Sequence, residues 1–415
     1  MNEQQLSERK RRGYDIFQKS QIDNKHGFYR VPSSRKSGTY KVSIEQQTCT
    51  CPDFEIRKAT KCKHIFAAEF HFQKRQLPHR QRKAFQETAM AKAPKRPTYS
   101  QTDWSKYNQS QVTEKAEFLY LLKELVKDVE TPSQKTGRTR HSFADLLFAM
   151  CYKVYSRFSS RRFMTDLNDA FGKGYIERQI SYNSLVDSFN LDEITPILHQ
   201  IIEVSSLPLS VIEKNFCVDS TAFSTCRFNQ WSDAKYGDKK LLEKKNWVKA
   251  HVMSGVSTHV VTAVTITDKH GQDGANFSPL VEKTAKNFTV GDVSADAAYA
   301  LGNSFDTVAK VGGTAYIDFK KSASGTGLRT SETFKKAFHF YSLHQSEFWQ
   351  HYSKRNNAET VFSMVKGKFG DNLRAKTETA LINESLVKFV CHNICVLITS
   401  MHELGLKPKF RENLK

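Results

Sequence analysis

Between Phe28 and Cys51 apolar and polar positions alternate. Phe28-Tyr29-Arg30-Val31 runs into the turn-rich Ser33-Ser34-Arg35-Lys36-Ser37-Gly38, and Tyr40, Val42 and Ile44 then recur at every second position. Period two on both sides of a turn predicts a hairpin with a loose loop. From Cys62 to Phe72 the period lengthens to that of a helix, with Ile65, Phe66, Ala68 and Phe70 as its apolar positions. Residues 78–110 are rich in Pro, Lys, Arg, Gln and Ser and include Pro94-Lys95-Arg96-Pro97, the texture of a basic linker. Helical stripes follow over 113–205: Phe118, Leu121, Leu122 and Leu125, then Phe143, Leu146, Leu147, Met150 and Val154. Shorter helical patterns occupy Phe163–Phe171, Tyr182–Phe189 and Ile194–Val204. Such a run of short helices either holds a helix that enters a DNA groove or serves as a packing domain.

From Asn215 the texture changes to β-branched and apolar runs. Phe216–Val218, Lys249–Val256, His259–Thr267, Phe288–Val293 and Thr314–Phe319 are five strand candidates, and helical patterns follow the fourth and fifth. Three closely connected strands and then alternating β and α predict a mixed sheet flanked by helices, an α/β fold. The expected order is a small β-hairpin and helix module over 1–80, a basic linker over 81–112, a helical and possible DNA-contacting region over 113–212, the α/β domain over 213–400 and a basic tail over 401–415.

Composition narrows the class. The chain has 415 residues, of which 39% are hydrophobic and 26% charged, with 19 Gly and 10 Pro, so neither wholesale disorder nor a low-complexity fibre fits. No run of 18 apolar residues occurs, and Leu386 to Met401 is interrupted by Lys388, His392 and Asn393, so no membrane span is expected. Met1 to Arg12 is polar, without the apolar stretch of a signal peptide, which predicts a cytoplasmic protein with reduced cysteines. Cys151, Cys217, Cys226, Cys391 and Cys395 stand in apolar contexts and read as small buried residues. The net charge is +20, and +13 of it falls within residues 1–100. Basic residues concentrated at one end point to a polyanionic partner, nucleic acid before a membrane surface.

Three constellations carry chemistry. Cys49-x-Cys51 and Cys62-x-His64 place three thiols and an imidazole at a strand end and a helix start, the donor set of a tetrahedral structural zinc. That order, with Pro52-Asp53-Phe54 behind it, resembles the SWIM zinc finger over about residues 28–72, which implies a DNA- or protein-binding module. Asp219 ends the apolar run Phe216-Cys217-Val218, and Asp296 follows the fourth strand, with Asp292 as its nearest rival. Tyr352, Arg355, Glu359 and Lys366 lie at offsets that, at about 100° per residue, gather on one stripe of a helix beside an apolar face of Ala358, Val361, Phe362, Val365 and Phe369.

Tyr-x2-Arg-x3-Glu-x6-Lys, complete from Tyr352 to Lys366, resembles the signature of DDE transposases from prokaryotic insertion sequences. Val218-Asp219-Ser220-Thr221 and Ala295-Asp296-Ala297-Ala298-Tyr299 are similar to that group's two Asp motifs. Ser205-Ser206-Leu207-Pro208-Leu209, Trp247-Val248-Lys249-Ala250-His251 and Asn383-Glu384 extend the likeness over about residues 115–400. The resemblance implies a ribonuclease H-like core that cleaves and joins DNA, with transposon ends and target as double-stranded partners, self-association in a synaptic complex, and a prokaryotic, nucleoid-associated setting. It implies Asp219, Asp296 and Glu359 as catalytic ligands of two Mg²⁺ (or Mn²⁺) ions, and Tyr352, Arg355 and Lys366 as DNA contacts. Phosphodiester transfer suits that set, because two divalent ions about 3.5–4 Å apart clamp the attacking and leaving oxygens, and Mg²⁺ keeps waters while taking few protein ligands. Two other readings use the same residues: a metal-dependent nuclease that hydrolyses without joining, and a non-catalytic zinc-finger DNA-binding protein derived from a transposase.

Overall fold

A computed structural model describes residues 3–25, 27–33, 38–55, 61–76, 103–134, 136–137, 139–225, 247–320, 323–325 and 331–410. Most of the expected linker and Cys226 lie outside them. The chain divides into two compact units, 1–101 and 102–415.

In the first unit, helix α1 (Glu3–Lys19) precedes strands β1 (Asp23–Lys25), β2 (Phe28–Pro32), β3 (Thr39–Ser43) and β4 (Thr48–Cys49), a short helix α2 (Pro52–Glu55) and helix α3 (Lys63–Gln76). The strands form an antiparallel meander in chain order. The hairpin of the alternating stretch is β2–β3, with Val31 opposite Tyr40. Val31, Val42, Ile65, Ala67 and Ala68 are fully buried beneath it. Helix α1 was not read from the polar N-terminus. Among its described side chains Tyr14 and Ile16 are buried, late in its length, and it packs on α3 where Gly13 leaves no room for a side chain: a Cβ there would lie 2.6 Å from both the Lys63 carbonyl and the Phe66 Cβ.

The second unit opens with α4 (Trp104–Val126), α5 (Phe143–Ser156), α6 (Ser160–Gly172), α7 (Tyr182–Ser188) and α8 (Ile194–Ser206). Helix α4 starts at Trp104, ahead of the expected 113, because Asp103 caps it by accepting the N–H groups of Ser105 and Lys106. Ser142, Ser159 and Ser181 cap α5, α6 and α7 in the same way. Strands β5 (Phe216–Ser224), β6 (Trp247–Gly255), β7 (Val261–Thr267), β8 (Asp292–Ala295) and β9 (Thr314–Ile317) alternate with α9 (Asp273–Ala285) and α10 (Gly302–Lys310), and α11 (Glu332–Leu343), α12 (Gln345–Tyr352), α13 (Asn356–Phe369) and α14 (Glu378–Leu404) follow. The sheet order is β7-β6-β5-β8-β9, with β5, β6 and β7 antiparallel and β5, β8 and β9 parallel. This is the expected ribonuclease H-like mixed sheet.

The two faces of β5 enter different cores. Phe216 and Val218 pack with Met253, Val293, Ala295 and Ile317, while Cys217 and Phe223 join a core built from α4, α5, α8, α13 and α14. The helices of 104–206 therefore share their core with the sheet, and no division between compact units falls at 212/213. Helix α14 is long and apolar enough to cross a membrane, with a mean hydropathy of 1.5, but 89% of that window is buried inside the fold. Its polar residues pin it there. Asn393 accepts the Val261 N–H at 2.8 Å and donates to the Val261 carbonyl at 2.7 Å, satisfying the edge of β7. Lys388 donates to the carbonyls of Gly370 and Asn372 at 2.8 and 2.9 Å.

Candidate active site and zinc centre

The register of the sheet assembles the acidic site. Val218 on β5 lies opposite Ala295 on β8, and Ala295 lies opposite Ile317 on β9, all parallel. The next residue on each strand is Asp219, Asp296 and Asp318. Side chains at equal register on parallel neighbours share a face, so the three carboxylates line one row on the α13 side of the sheet. Asp219 does not end its strand as the sequence suggested. Strand β5 continues to Ser224 because β6 pairs with its whole length, Asp219 facing Val252. Strand β8 does stop: Asp296 accepts the Ala298 N–H and caps a short 3-10 turn, Ala297–Tyr299.

Helix α13 brings the third carboxylate. Its buried Ala358, Val361, Phe362, Val365 and Phe369 seat it on the core, as the sequence predicted. Arg355, just before it, ties the site together. Its Nη2 lies 3.0 Å from Asp219 Oδ2 and 3.6 Å from Asp296 Oδ2, and its Nη1 lies 3.2 Å from Glu359 Oε1. The guanidinium is thus committed to carboxylates on both terminal nitrogens, and its buried Nε has no hydrogen-bond partner. Burial raises the Asp219 carboxyl above the usual carboxylate range, and Asp296 and Glu359 add to the shift against the opposing pull of the Ser220 N–H and Arg355.

The stripe predicted from Tyr352 to Lys366 is interrupted. Tyr352 ends α12, and a 3-10 turn over Ser353–Arg355 separates it from α13. Arg355 and Glu359 still meet, four residues apart. Tyr352 is half-buried, stacks on Phe348 at 5.7 Å, and has its phenol pushed up to about 12 by burial and the nearby Asp318. Lys366 is turned elsewhere, with Nζ 5.8 Å from the centre of the Phe223 ring. Asp292 is no rival for the acidic row. At the other end of β8 its Oδ2 pairs with His351 Nδ1 at 2.7 Å and Lys354 Nζ at 2.8 Å, fastening the segment that carries Tyr352 and Arg355.

Asp318 was missed by sequence reasoning, although the rule that found the others, an acid directly after a strand, applies to it. Burial raises its carboxyl, with Asp296 adding and the Phe319 N–H opposing at 2.8 Å. Behind β5 a second polar group forms on the opposite face: Asp273 pairs with Lys249 Nζ at 2.8 Å and lies 3.3 Å from His251 Nδ1, while Tyr299 donates to it at 3.4 Å.

In the first unit, Cys49 closes β4, Cys51 precedes α2, Cys62 precedes α3 and His64 lies in the first turn of α3. Their ligand atoms lie within 4.8 Å of one another, and all four residues are buried. The thiols are mutually dependent. Hydrogen bonding from Cys49 and Cys62 lowers Cys51, whereas hydrogen bonding to Cys51 raises Cys49. Cys62 is pulled down by Cys49 but pushed up to about 11 by Cys51 and burial. His64 Nδ1 lies 3.9 Å from Cys62 Sγ, and its buried Nε2 has no partner. Three soft sulfurs and one imidazole converging at a buried point fit one zinc ion. The three acids around Arg355 are hard oxygen donors and fit Mg²⁺ or Mn²⁺. Among the described residues only the Cys/His group gathers as tightly as 4.8 Å; the acidic row is more open.

No curated protein matches the chain significantly. Family models match two segments. Residues 40–73 match the SWIM zinc finger, and this span contains all four Cys/His ligands. Residues 213–394 match the transposase DDE domain, a span that holds the sheet, Asp219, Asp296, Arg355 and Glu359. Residues 213–394 accordingly carry a transposase DDE domain, and residues 40–73 a SWIM zinc finger.

Proposed function

We propose that this chain binds the ends of its own mobile element and catalyses their cleavage and joining to target DNA, with Asp219, Asp296 and Glu359 as the catalytic carboxylates. The observation that carries this reading is the register that sets Asp219 beside Asp296, with Glu359 brought to the same place through Arg355. Bound divalent ions would lower the pKa of the attacking water or 3′-hydroxyl and stabilise the leaving oxygen.

The chain's own residues do the rest. Asp219 is the least exposed of the three, with a side chain 13% exposed against 48% for Asp296 and 64% for Glu359. Arg355 keeps the three like charges together, and once bound ions neutralised them its guanidinium would turn to phosphate oxygens entering the row. Tyr352, backed by Phe348 and Trp349, presents an aromatic edge at the mouth of the site. Lys366 lies further along α13 and adds charge for the DNA backbone. All three carboxylates are present, which supports catalysis over a purely DNA-binding role. One Zn²⁺ on Cys49, Cys51, Cys62 and His64 would fix the fold of the finger, and the excess of positive charge in residues 1–100 suits that unit to DNA. Synapsis by self-association belongs to the same reading. The test is to incubate purified full-length protein with Mg²⁺ and a duplex carrying the element's end, and to map nicks and joints. Strand breaks at the end and joined products support the proposal; breaks at random sites with no joints point to a nuclease instead.

A further inference from the structure

The Lys153 side chain is largely buried where it meets a cavity. It lies in the last turn of α5 and is 7% exposed. Among the described residues its ammonium has no hydrogen bond and no ion pair; only the charges of Arg374 and Glu384 are felt there. A cation so largely withdrawn from water gains from a negative group that reaches it through the cavity. Lys153 lines a cavity of about 430 Å³ that also meets Tyr182, Phe189, Arg374, Lys376 and Glu384.

The surroundings of the cavity select for an anion. Two helices begin at its wall: Ser160 is the first residue of α6, and Thr377 caps α14. Helix N-termini carry partial positive charge and free N–H groups. Glu384 is the one acid in the lining, and its Oε2 is already engaged by the N–H groups of Arg374 and Ala375, both at 2.8 Å. Arg374 donates to the carbonyls of Arg157 and Phe158, each at 2.8 Å, so its position on the rim is fixed. Arg161 lies over the Tyr182 ring at 5.2 Å, beside the opening.

We propose that this cavity seats a backbone phosphate of duplex DNA, with Lys153 as the buried cation that receives it. The inference rests on the reading of the chain as a DNA-handling enzyme. A free phosphate ion would need only the buried cation and the helix ends, whereas Arg161, Arg374 and Lys376 continue positive charge along the rim as an extended polyanion requires. Helix α13 runs from Glu359 of the acidic row to Phe369, and Arg374 of the cavity follows five residues later.

The experiment measures binding of full-length protein to a fluorescein-labelled duplex by anisotropy over a series of NaCl concentrations. Lys153→Met keeps the stem and removes the charge. It is expected to lower the slope of log K against log salt by about 0.9 and to weaken binding about eight-fold near 0.1 M salt. Without DNA this variant should melt at or above the wild-type temperature, because an unpaired buried charge has gone. Lys376→Ala, on the exposed rim, should move the slope the same way and does not depend on the packing of Lys153. If the wild type binds the duplex while both variants keep its slope and affinity, the proposal is overturned. If inorganic phosphate raises the wild-type melting temperature but not that of Lys153→Met, and the DNA slope is unchanged, the site takes free phosphate and the DNA assignment is overturned. A wild type that binds no duplex at all would remove the proposed function itself, a failure distinct from the other two.

Discussion

Removing the Arg355 guanidinium while keeping its stem, as in Arg355→Met, tests how the acidic row is held. Three carboxylates share this one cation, but not equally. Asp296 and Glu359 are 48% and 64% exposed at the side chain, and Glu359 pairs at 3.2 Å and Asp296 at 3.6 Å. Solvent screens such contacts to roughly 0–1 kcal/mol each. Asp219 is 13% exposed and pairs at 3.0 Å, a charge-assisted bond worth about 1.5–3 kcal/mol. The loss should therefore be about 2 kcal/mol, nearly all of it through Asp219. With an unfolding entropy of about 2.1 cal/mol/K per residue, a unit spanning residues 102–415 would melt about 3 °C lower. The assay is a double-mutant cycle by thermal or urea unfolding with Asp219→Asn, which keeps the shape of the carboxylate and removes its charge. Arg355→Met should cost little in the Asp219→Asn background, giving a coupling near 2 kcal/mol. Mg²⁺ should also stabilise Arg355→Met more than the wild type, because the carboxylates then have no internal cation. A coupling near zero would refute the reasoning and leave Arg355 as a residue turned toward DNA alone.

Three further outcomes follow from the same structure. Full-length Cys62→Ser should lose its zinc by metal analysis and the fold of residues 28–72 by hydrogen exchange, while the second unit stays protected; retained zinc would break the ligand assignment. Asp292→Asn should slow cleavage several-fold by loosening the His351 and Lys354 anchors, without the complete loss expected of Asp296→Asn, and the reverse ranking would exchange their roles. His392 is 2% exposed, donates from Nε2 to the His259 carbonyl at 2.9 Å, and is held down to about 4 by burial. Its folded pKa lies below the unfolded value of about 6.5, so the unfolded chain binds the proton first, and the stability present above 6.5 is lost as pH falls toward 4. Urea unfolding should therefore show about 2 kcal/mol of loss between pH 7 and 5 that His392→Gln lacks; an equal pH dependence in the two proteins would contradict this.

What could be read from the chain depended on how local the signal was. The zinc ligands stand within sixteen positions at the junction of a strand and a helix, so spacing alone identified them. Four of the five strands were legible from β-branched runs; the fourth, expected at Phe288–Val293, lies at Asp292–Ala295, and the length of β5 was missed because its polar second half is held by pairing with β6, a distant partner. Asp219 and Asp296 were found as acids after apolar runs, while their adjacency is a matter of register. Arg355 was read as a cation facing phosphate; in the structure its terminal nitrogens face carboxylates drawn from two strands and a helix, which no spacing rule contains. A single 3-10 turn broke the stripe that a uniform helix would have carried to Lys366. Lys153 gave no signal at all, since a lysine in the last turn of an apolar helix ordinarily reaches solvent and favours the helix dipole. Only the packing of α6, α7 and α14 around it makes the position unusual.

The central claim is that Asp219, Asp296 and Glu359 carry catalysis and not binding. The most direct measurement incubates Asp219→Asn, Asp296→Asn and Glu359→Gln with the element's end DNA and Mg²⁺, and scores end binding and strand joining on the same samples. The account predicts that all three variants still bind the end, in metal-free buffer at least as well as the wild type because each has lost a charge that repels phosphate, and that none yields nicks or joints with Mg²⁺. Joining by any one of them at the wild-type rate would contradict it.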